Sequence, residues 1–235
     1  MHELLNLELT SVLLTLLAYQ VGLLIQKKWK SPVCNPILIG VILVLVFMAL
    51  SGLENQTYQA ANVRLSWLMT PATVCLAIPM YEQFRVLRKN LAAIGAGVAC
   101  GAVSCLVMVL LFAGVFGFDR ELTISLLPKS VTSAIGVPLS SLSGGIASIT
   151  TAAIILTGIL ASVLGPVLCK LFKLEDEISR GVAFGTAGHV IGTSKANELS
   201  PLTGAVSSLS LVVAGLLTAV VLPIVSNLPI FPSCK

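Results

Sequence analysis

The chain alternates long apolar stretches with short polar ones, and this pattern predicts membrane-spanning helices. A helix of about 20 mainly apolar residues crosses the ~30 Å hydrocarbon core of a bilayer. Runs of that order recur along the whole chain and are rich in Leu, Ala and Val. The segments predicted from them are 7–26, 36–51, 65–81, 91–116, 122–142, 146–171, 181–199 and 203–225. We therefore expect an all-α polytopic membrane protein with about eight membrane segments in a single integral membrane domain, residues 1–235.

The composition agrees with this fold class and excludes several functions. The chain has 14 Lys and Arg and 10 Asp and Glu among 235 residues, and its mean hydropathy is +1.00, whereas roughly one quarter of a soluble domain is charged. The six cysteines lack metal-ligand spacing, and most lie in apolar runs where Cys packs as a small hydrophobe. No nucleotide loop, zinc pattern or catalytic triad spacing occurs. We expect no enzyme activity, cofactor, metal or nucleic-acid partner.

The distribution of cations predicts the orientation of the first four segments. Cytoplasmic loops carry an excess of Lys and Arg. Two cations, Arg64 and Arg120, fall in the second and fourth predicted loops. Six fall in the first and third loops: Lys27, Lys28, Lys30, Arg85, Arg88 and Lys89. The N-terminus is therefore predicted outside, and because Met1-His2-Glu3 does not open like a signal peptide, the first apolar run is expected to stay as a helix.

Two of the predicted segments, 122–142 and 181–199, are interrupted, and each contains a lysine. The first also has two prolines and many hydroxyl residues, and the second has four glycines and a histidine. Broken helices survive in a membrane only inside protein or beside a watery cavity, and in secondary transporters corresponding breaks form the substrate site. We expect residues 122–225 to be the substrate-site region and residues 1–118 to be scaffold-like helices, compatible with an inverted-repeat transporter. The alternative is that small residues merely allow close helix packing.

The first break contains Lys129. An ammonium in hydrocarbon costs at least ~3 kcal/mol, so a lysine there normally faces a cavity or a partner; the alternative is that it reaches back to the membrane interface. Pro128 suits the first turn of a short helix, whose next N–H groups would be free for an anion. Ser130, Thr132 and Ser133 add hydroxyl donors. These five residues are candidate contacts for an anionic substrate.

The second break contains His189, bracketed by glycines that let backbone approach a ligand closely. A histidine can donate to a carboxylate or carry a coupling proton; the alternative is a structural hydrogen bond between helices. Lys195 and Glu198 are three residues apart, so on one helix face they can form an ordinary ion pair. Glu198 is a second candidate for proton coupling. The candidate substrate contacts of this break are Gly188, His189, Gly192, Thr193, Ser194 and Lys195.

The second half of the chain, from about residue 126 to residue 222, resembles the LrgB/CidB family of bacterial membrane proteins. In this chain Ala134 stands where that family has a proline in its Ser-Val-Thr-Thr-Pro-Ile pattern. The ordered motifs that carry the resemblance are Leu127 to Thr132, Gly144 to Ile146, Leu156 to Leu160, Gly165-Pro166, Arg180-Gly181, Gly185 to His189, Ile191 to Thr193 and Glu198-Leu199.

The resemblance implies two functional descriptions in the bacterial cytoplasmic membrane. One is holin/antiholin-like control of murein hydrolase activity and lysis, together with a small partner of the LrgA/CidA type. The other is transport, because a similar chloroplast protein carries glycolate and glycerate and bacterial members are linked to pyruvate. We prefer a secondary transporter of small monocarboxylates, proton-coupled by alternating access and homodimeric. Both broken segments are expected to be re-entrant, which leaves Lys170, Lys173 and Arg180 in the cytoplasm; full crossing is the alternative.

Overall fold

The computed structural model describes residues 2–29, 35–68, 71, 74–75 and 77–227. Within these ranges every regular element is a helix and there is no strand. The chain forms two compact units, Met1–Leu76 and Ala77–Lys235. The predicted segment 65–81 lies partly outside the described residues, and its described parts include short helices rather than one long one. The predicted boundary between scaffold and site region, near residue 120, stays a prediction.

The first unit is a packed pair of helices with two short helices after it. Gly22 allows this packing, since a Cβ there would lie 2.6 Å from the carbonyl oxygen of Pro36. The side chain of Asn35 caps the second helix by accepting from the N–H of Ile37 at 2.8 Å. A bond of 2.6 Å between Tyr58 Oη and Thr15 Oγ1 fastens the third helix to the first. The helices are α1 (His2–Trp29), α2 (Pro36–Ser51), α3 (Asn55–Ala61) and α4 (Val63–Trp67).

The second unit contains three of the four described helices that are long and apolar enough to cross a membrane. Their lipid-compatible faces follow from the exposed leucines and valines along them. The fourth such helix is the Glu8–Trp29 part of α1. The prediction of a multi-pass helical membrane protein is therefore supported. The elements of this unit are α5 (Ala77–Glu82), α6 (Phe84–Lys89), α7 (Leu91–Phe116), α8 (Arg120–Leu126), α9 (Ser133–Leu142), α10 (Ala147–Leu171), α11 (Glu177–Leu199) and α12 (Pro201–Ser226).

Helices α8 and α9 and the non-helical turn between them, residues 127–132, form the first hairpin. Arg120, at its start, donates from Nη2 to the carbonyl oxygen of Ser226 at 3.1 Å, and its guanidinium lies beside Gly144 just past the hairpin's end. Ser125 Oγ accepts from the N–H of Ile146 at 2.7 Å. The hairpin therefore starts and finishes at one end of the unit, which we term the Arg120 end.

Helix α11 folds back on itself at His189 and forms the second hairpin, 177–199. The backbone of His189 has φ 41° and ψ −134°, outside the helical range. A Cβ on Gly192 would lie 2.5 Å from the carbonyl oxygen of Phe184, although residues eight apart in a straight helix are separated by ~12 Å. Gly181 at one end contacts Thr203, and the other end contacts Gly204. Both ends thus lie at the beginning of α12, which we term the Arg180 end.

The three long helices of the second unit run between these two ends. Ile94 packs with Val206 near the Arg180 end, and Val109 packs with Leu222 near the Arg120 end, so α7 and α12 are parallel. Helix α10 runs the opposite way, from the Arg120 end to the loop in which Arg180 Nε donates to the carbonyl oxygen of Leu174 at 2.5 Å. A long helix followed by a hairpin thus occurs twice, in opposite directions, before α12.

Candidate functional site

The two hairpins approach the middle of α10 from opposite ends, and both contact Ile154. A Cβ on Gly136 of the first hairpin would lie 2.8 Å from Ile154 Cδ1. His189 Nε2 of the second hairpin lies 2.9 Å from the carbonyl oxygen of Ile154. Ile154 is itself buried, with 1% of its surface exposed. The two predicted breaks are therefore brought together inside the protein, as the argument from unpaired backbone requires.

Lys129 lies in the turn of the first hairpin, half-buried, and lines two cavities. One has a volume of about 360 Å³, is walled by α10 and α11 and reaches Leu174 toward the Arg180 end. The other has a volume of about 160 Å³ and reaches Phe118 toward the Arg120 end. Lys129 is the charged residue in the lining of either cavity, and Thr157 supplies a hydroxyl to the larger one. Among the described residues no carboxylate forms an ion pair with Lys129.

The expected role of Pro128 as the first residue of a short helix is wrong. Helix α9 begins at Ser133, after Thr132 as its N-cap, and Pro128 lies in the turn before it. The N–H groups of Lys129 and Val131 donate to the carbonyl oxygens of Leu126 and Pro128, at 3.2 and 3.1 Å. The N–H groups without a helical partner therefore belong to the first residues of α9 and not to the residues after the proline.

His189 makes the structural hydrogen bond that the sequence left open as an alternative. The side chain is buried, and because a carbonyl oxygen only accepts, Nε2 donates to Ile154 across 2.9 Å. Gly158 of α10 makes room for the ring, since a Cβ there would lie 2.6 Å from His189 Cε1. The backbone of His189 has a positive φ, which is strained for a residue with a Cβ. The imidazole therefore fixes the tip of the second hairpin to α10.

The remaining candidates of the second break hold the hairpin or lie away from Lys129. Thr193 Oγ1 donates to the carbonyl oxygen of His189 at 2.8 Å and contacts Ser207 Oγ at 2.8 Å. Lys195 Nζ forms an ion pair of 2.5 Å with Glu198, which is largely exposed, as is Ser194. Gly188 and Gly192 are buried where Ala161 and Phe184 approach closely. None of Thr193, Ser194, Lys195 and Glu198 lines the cavities beside Lys129.

A second set of polar groups surrounds the first hairpin's turn, and apart from Ser130 it was missed by the sequence argument. Cys105 Sγ lies 3.0 Å from Ser130 Oγ, and Thr186 and Thr218 line the same small cavity as these two residues. A signal for part of this set exists in the sequence. Hydroxyl residues of α12 recur at positions 203, 207, 210 and 218, which fall on one face of a helix.

Residues 15–228 match the model of the LrgB-like family. The chain belongs to the LrgB family. Two curated relatives, from two strains of Staphylococcus epidermidis, are both named holin-like protein CidB. Each is 33% identical to this chain over 213 residues, which cover 91% of the chain and 93% of the relative. No solved structure matches the chain. The resemblance in the second half of the sequence is thus confirmed and extends over the first half.

Proposed function

We propose that this LrgB-family protein is a holin-like membrane protein that controls murein hydrolase activity and lysis. The observation that carries the proposal is the 33% identity, over nearly the full length of both chains, to relatives named holin-like protein CidB. The four long apolar helices suit such a role in the bacterial cytoplasmic membrane. A small LrgA/CidA-type membrane protein is the proposed partner.

The test of this function is a deletion and complementation experiment in the native host. Loss of the gene is expected to change the rate of lysis and the murein hydrolase activity released into the medium, and the wild-type chain should restore both. Expression with and without the small partner then separates joint from independent action. Unchanged lysis and hydrolase activity in the deletion strain would contradict the proposal.

A second candidate function is favoured by a specific feature, the cation between two cavities. Lys129 lines one cavity that reaches toward the Arg120 end and another that reaches toward the Arg180 end. Helices that associate into a hole require neither opposed hairpins nor a lysine at a turn, whereas a carrier uses such breaks to bind a substrate near the membrane midplane. We therefore propose, as this second function, transport of small monocarboxylates of the glycolate, glycerate, lactate or pyruvate type.

In this mechanism Lys129 supplies the charge for the substrate carboxylate. Thr132 and the first N–H groups of α9 are the neighbouring donors, whereas Ser130 Oγ lies 3.0 Å from Cys105 Sγ and does not line the cavities beside Lys129. A carboxylate that leaves water requires a cation and hydrogen-bond donors to offset its lost hydration. Alternating access would open one cavity beside Lys129 and close the other. Proton coupling through His189 or Glu198, and a homodimeric assembly, complete the proposal.

Uptake by the purified protein in sealed vesicles distinguishes the two functions. Radiolabelled glycolate, lactate and pyruvate are offered with and without an imposed proton gradient. A carrier gives saturable flux that Lys129→Met abolishes. If the wild type gives saturable flux and lysis control also depends on Lys129, the protein performs both functions. Absence of saturable flux, with lysis control intact, would leave the holin-like function alone.

The membrane topology that we propose follows from the charge at the two ends of the second unit. Leu87 of α6 packs with Ala205 at the Arg180 end, which also places the cations of α6 there. The cation at the other end of the unit is Arg120. The Arg180 end carries Arg85, Arg88, Lys89, Lys170, Lys173 and Arg180. By the positive-inside tendency this end is cytoplasmic, both hairpins are re-entrant, and the two opposed helix-and-hairpin pairs form an inverted repeat.

The hairpin lengths agree with re-entry. The first arm of the second hairpin, 177–188, is about 18 Å long at 1.5 Å per residue, roughly half of the membrane thickness including part of the interface. His189 would thus lie near the midplane. Together with the N-terminus outside and segments one to four crossing, this gives the eight membrane segments of the sequence argument.

A further inference from the structure

A small cavity lies where the turn of the first hairpin meets α7, α11 and α12. Its volume is about 10 Å³, close to that of a single water-sized probe. The groups that line it include Ser130 of the turn, Thr186 of α11, Thr218 of α12 and Cys105 of α7. It is distinct from the two cavities beside Lys129, which share none of these four residues.

The hydroxyl groups of this cavity are available as acceptors. Thr186 Oγ1 donates its proton to the carbonyl oxygen of Val182 at 2.7 Å, and Thr218 Oγ1 donates to that of Ala214 at 2.8 Å. A hydroxyl has one proton and two lone pairs, so both oxygens retain only acceptor capacity. Either atom of the 3.0 Å contact between Ser130 Oγ and Cys105 Sγ can be the donor, so this pair keeps one unused proton, and the serine oxygen keeps at least one lone pair.

The turn adds backbone acceptors to the hydroxyls. Leu127 and Val131 line the cavity, and both residues are buried. Their N–H groups donate within the hairpin, but within the described part of the chain no donor reaches their carbonyl oxygens. Buried carbonyls without a partner are uncommon and costly. The residues that line the cavity therefore carry more oxygen acceptors than donors.

We propose that this cavity binds a sodium ion. Hard cations take oxygen ligands, and in membrane carriers unwound backbone carbonyls coordinate Na⁺. An anion would find a single donor here, the proton that the Ser130–Cys105 pair leaves unused, and a water molecule would find more acceptors than it has protons to donate. No carboxylate lines the cavity, which argues against Ca²⁺ and Mg²⁺ because their sites use carboxylates. The small volume favours Na⁺ over K⁺.

A bound ion would join four elements that the fold otherwise holds by apolar contacts and a few hydrogen bonds. The hydroxyl of Ser210 lies one turn before Ala214 on the same face of α12, is fully buried and has no hydrogen-bond partner among the described residues. Ser210 packs against Gly185, the neighbour of Thr186. The polar face of α12 thus continues past the cavity toward the second hairpin. The proposal stands whether the protein is holin-like, a carrier or both.

The test is the thermal stability of the purified full-length protein in lipid nanodiscs as a function of NaCl, with choline chloride holding the ionic strength constant. We expect Na⁺ to raise the midpoint of unfolding saturably, and KCl to leave it at the choline value. Thr186→Val and Thr218→Val each remove one ligand oxygen at nearly constant volume. Each should raise the half-saturating Na⁺ concentration by about tenfold or more, equivalent to about 1.4 kcal/mol or more.

Thr151→Val is the matched control. Thr151 Oγ1 also donates to a carbonyl four residues earlier, at 2.8 Å from Ala147, but its hydroxyl is outside the cavity. This variant should keep the wild-type Na⁺ response, and so should Thr218→Ser, which retains the oxygen. Equal midpoints in Na⁺ and choline for the wild type, the outcome for a bound water only, would overturn the proposal.

A further variant keeps the test decisive if a valine substitution prevents folding. Ser130→Ala removes an oxygen without adding volume, so it should be recovered folded and should weaken the Na⁺ response in the same manner. A wild-type response in Ser130→Ala, or in a folded Thr218→Val, would overturn the assignment of these oxygens as ligands.

Discussion

Replacing Gly158 with alanine tests how tightly the tip of the second hairpin is fixed to α10. The added Cβ would lie 2.6 Å from His189 Cε1, 2.8 Å from Nε2 and 2.9 Å from Ile191 Cδ1. The Ile191 methyl is the far end of a flexible side chain and can move away. Displacing the imidazole away from α10 would break its 2.9 Å hydrogen bond to Ile154, because that carbonyl lies one turn before Gly158 on the same helix.

The expected cost combines three terms. Overpacking a core costs about 1–3 kcal/mol, and leaving a buried donor unpaired costs about 1–3 kcal/mol. Alanine in place of glycine inside a helix stabilises the folded state by up to about 1 kcal/mol, which offsets part of this cost. The net loss of stability is therefore about 3 kcal/mol, which corresponds to a fall in the unfolding midpoint of roughly 6–12 °C for a chain of this size.

The assay is the fraction of protein that stays monodisperse after heating in detergent. Gly95→Ala in α7 is the control, because a Cβ at Gly95 meets nothing within 4 Å; it should keep the wild-type midpoint or raise it by up to about 2–4 °C, the gain from helix propensity alone. The decisive variant is Gly158→Ala combined with His189→Gly. Glycine accepts the positive φ of position 189 and has no ring to displace, so Gly158→Ala should cost little in that background. An equal loss in both backgrounds would refute the reasoning.

Three further predictions follow from the site and the topology. Lys129→Met removes the charge and keeps the apolar stem, so it should leave folding intact and weaken monocarboxylate binding more than about tenfold. Lys195→Met, measured beside it, should bind normally. Near-normal affinity in the Lys129 variant would contradict its role. His189→Gln should leave expression and substrate binding measurable but flatten the response of uptake to an imposed pH gradient, and wild-type coupling would return His189 to a purely structural role. A cysteine replacing Ser179, in a background without the native cysteines, should resist an impermeant maleimide added outside intact cells, and labelling would overturn the proposed orientation.

The sequence predicted the helices and the existence of the breaks because both depend on local composition. Long apolar runs predict α7, α10 and α12, and all three are helices with bounds within a few residues of the predicted ones. An interruption within 122–142 was expected from proline, lysine and hydroxyl residues in an apolar stretch, and the structure has a turn there, at residues 127–132. These features are decided within a few residues along the chain, which is the range over which sequence patterns are informative.

The form of each break could not be predicted from the same pattern. Residues 181–199 contain several glycines, which suggests an extended irregular region, yet the departure from helical geometry is confined to His189. The glycines act instead where helices meet: Gly185 and Gly192 allow close approach to backbone carbonyls. Composition indicates that small residues are needed, but the partner that requires them is set by tertiary packing.

For Pro128 in the first hairpin, the sequence predicted a helix start that the structure does not have. Proline is common at the first helical position, so the sequence predicted a helix start there and free N–H groups just after it. The helix begins five residues later, at Ser133. The turn between them is held by its own hydrogen bonds, and its carbonyls at Leu127 and Val131 have no donor among the described residues. The chemistry offered by the turn itself is therefore that of acceptors.

Because the turn offers acceptors, the first break has two faces with different chemistry. Lys129 lines the cavities on one face, whereas Ser130 and the carbonyl-bearing residues Leu127 and Val131 line the small cavity on the other. A carboxylate is suited to the first face and a cation to the second. Because opposite charges attract across a short turn, occupation of either face would favour occupation of the other. Coupling between an anionic substrate and a cation then requires no titrating side chain, and its signature would be monocarboxylate binding that tightens as Na⁺ is raised at constant ionic strength and pH.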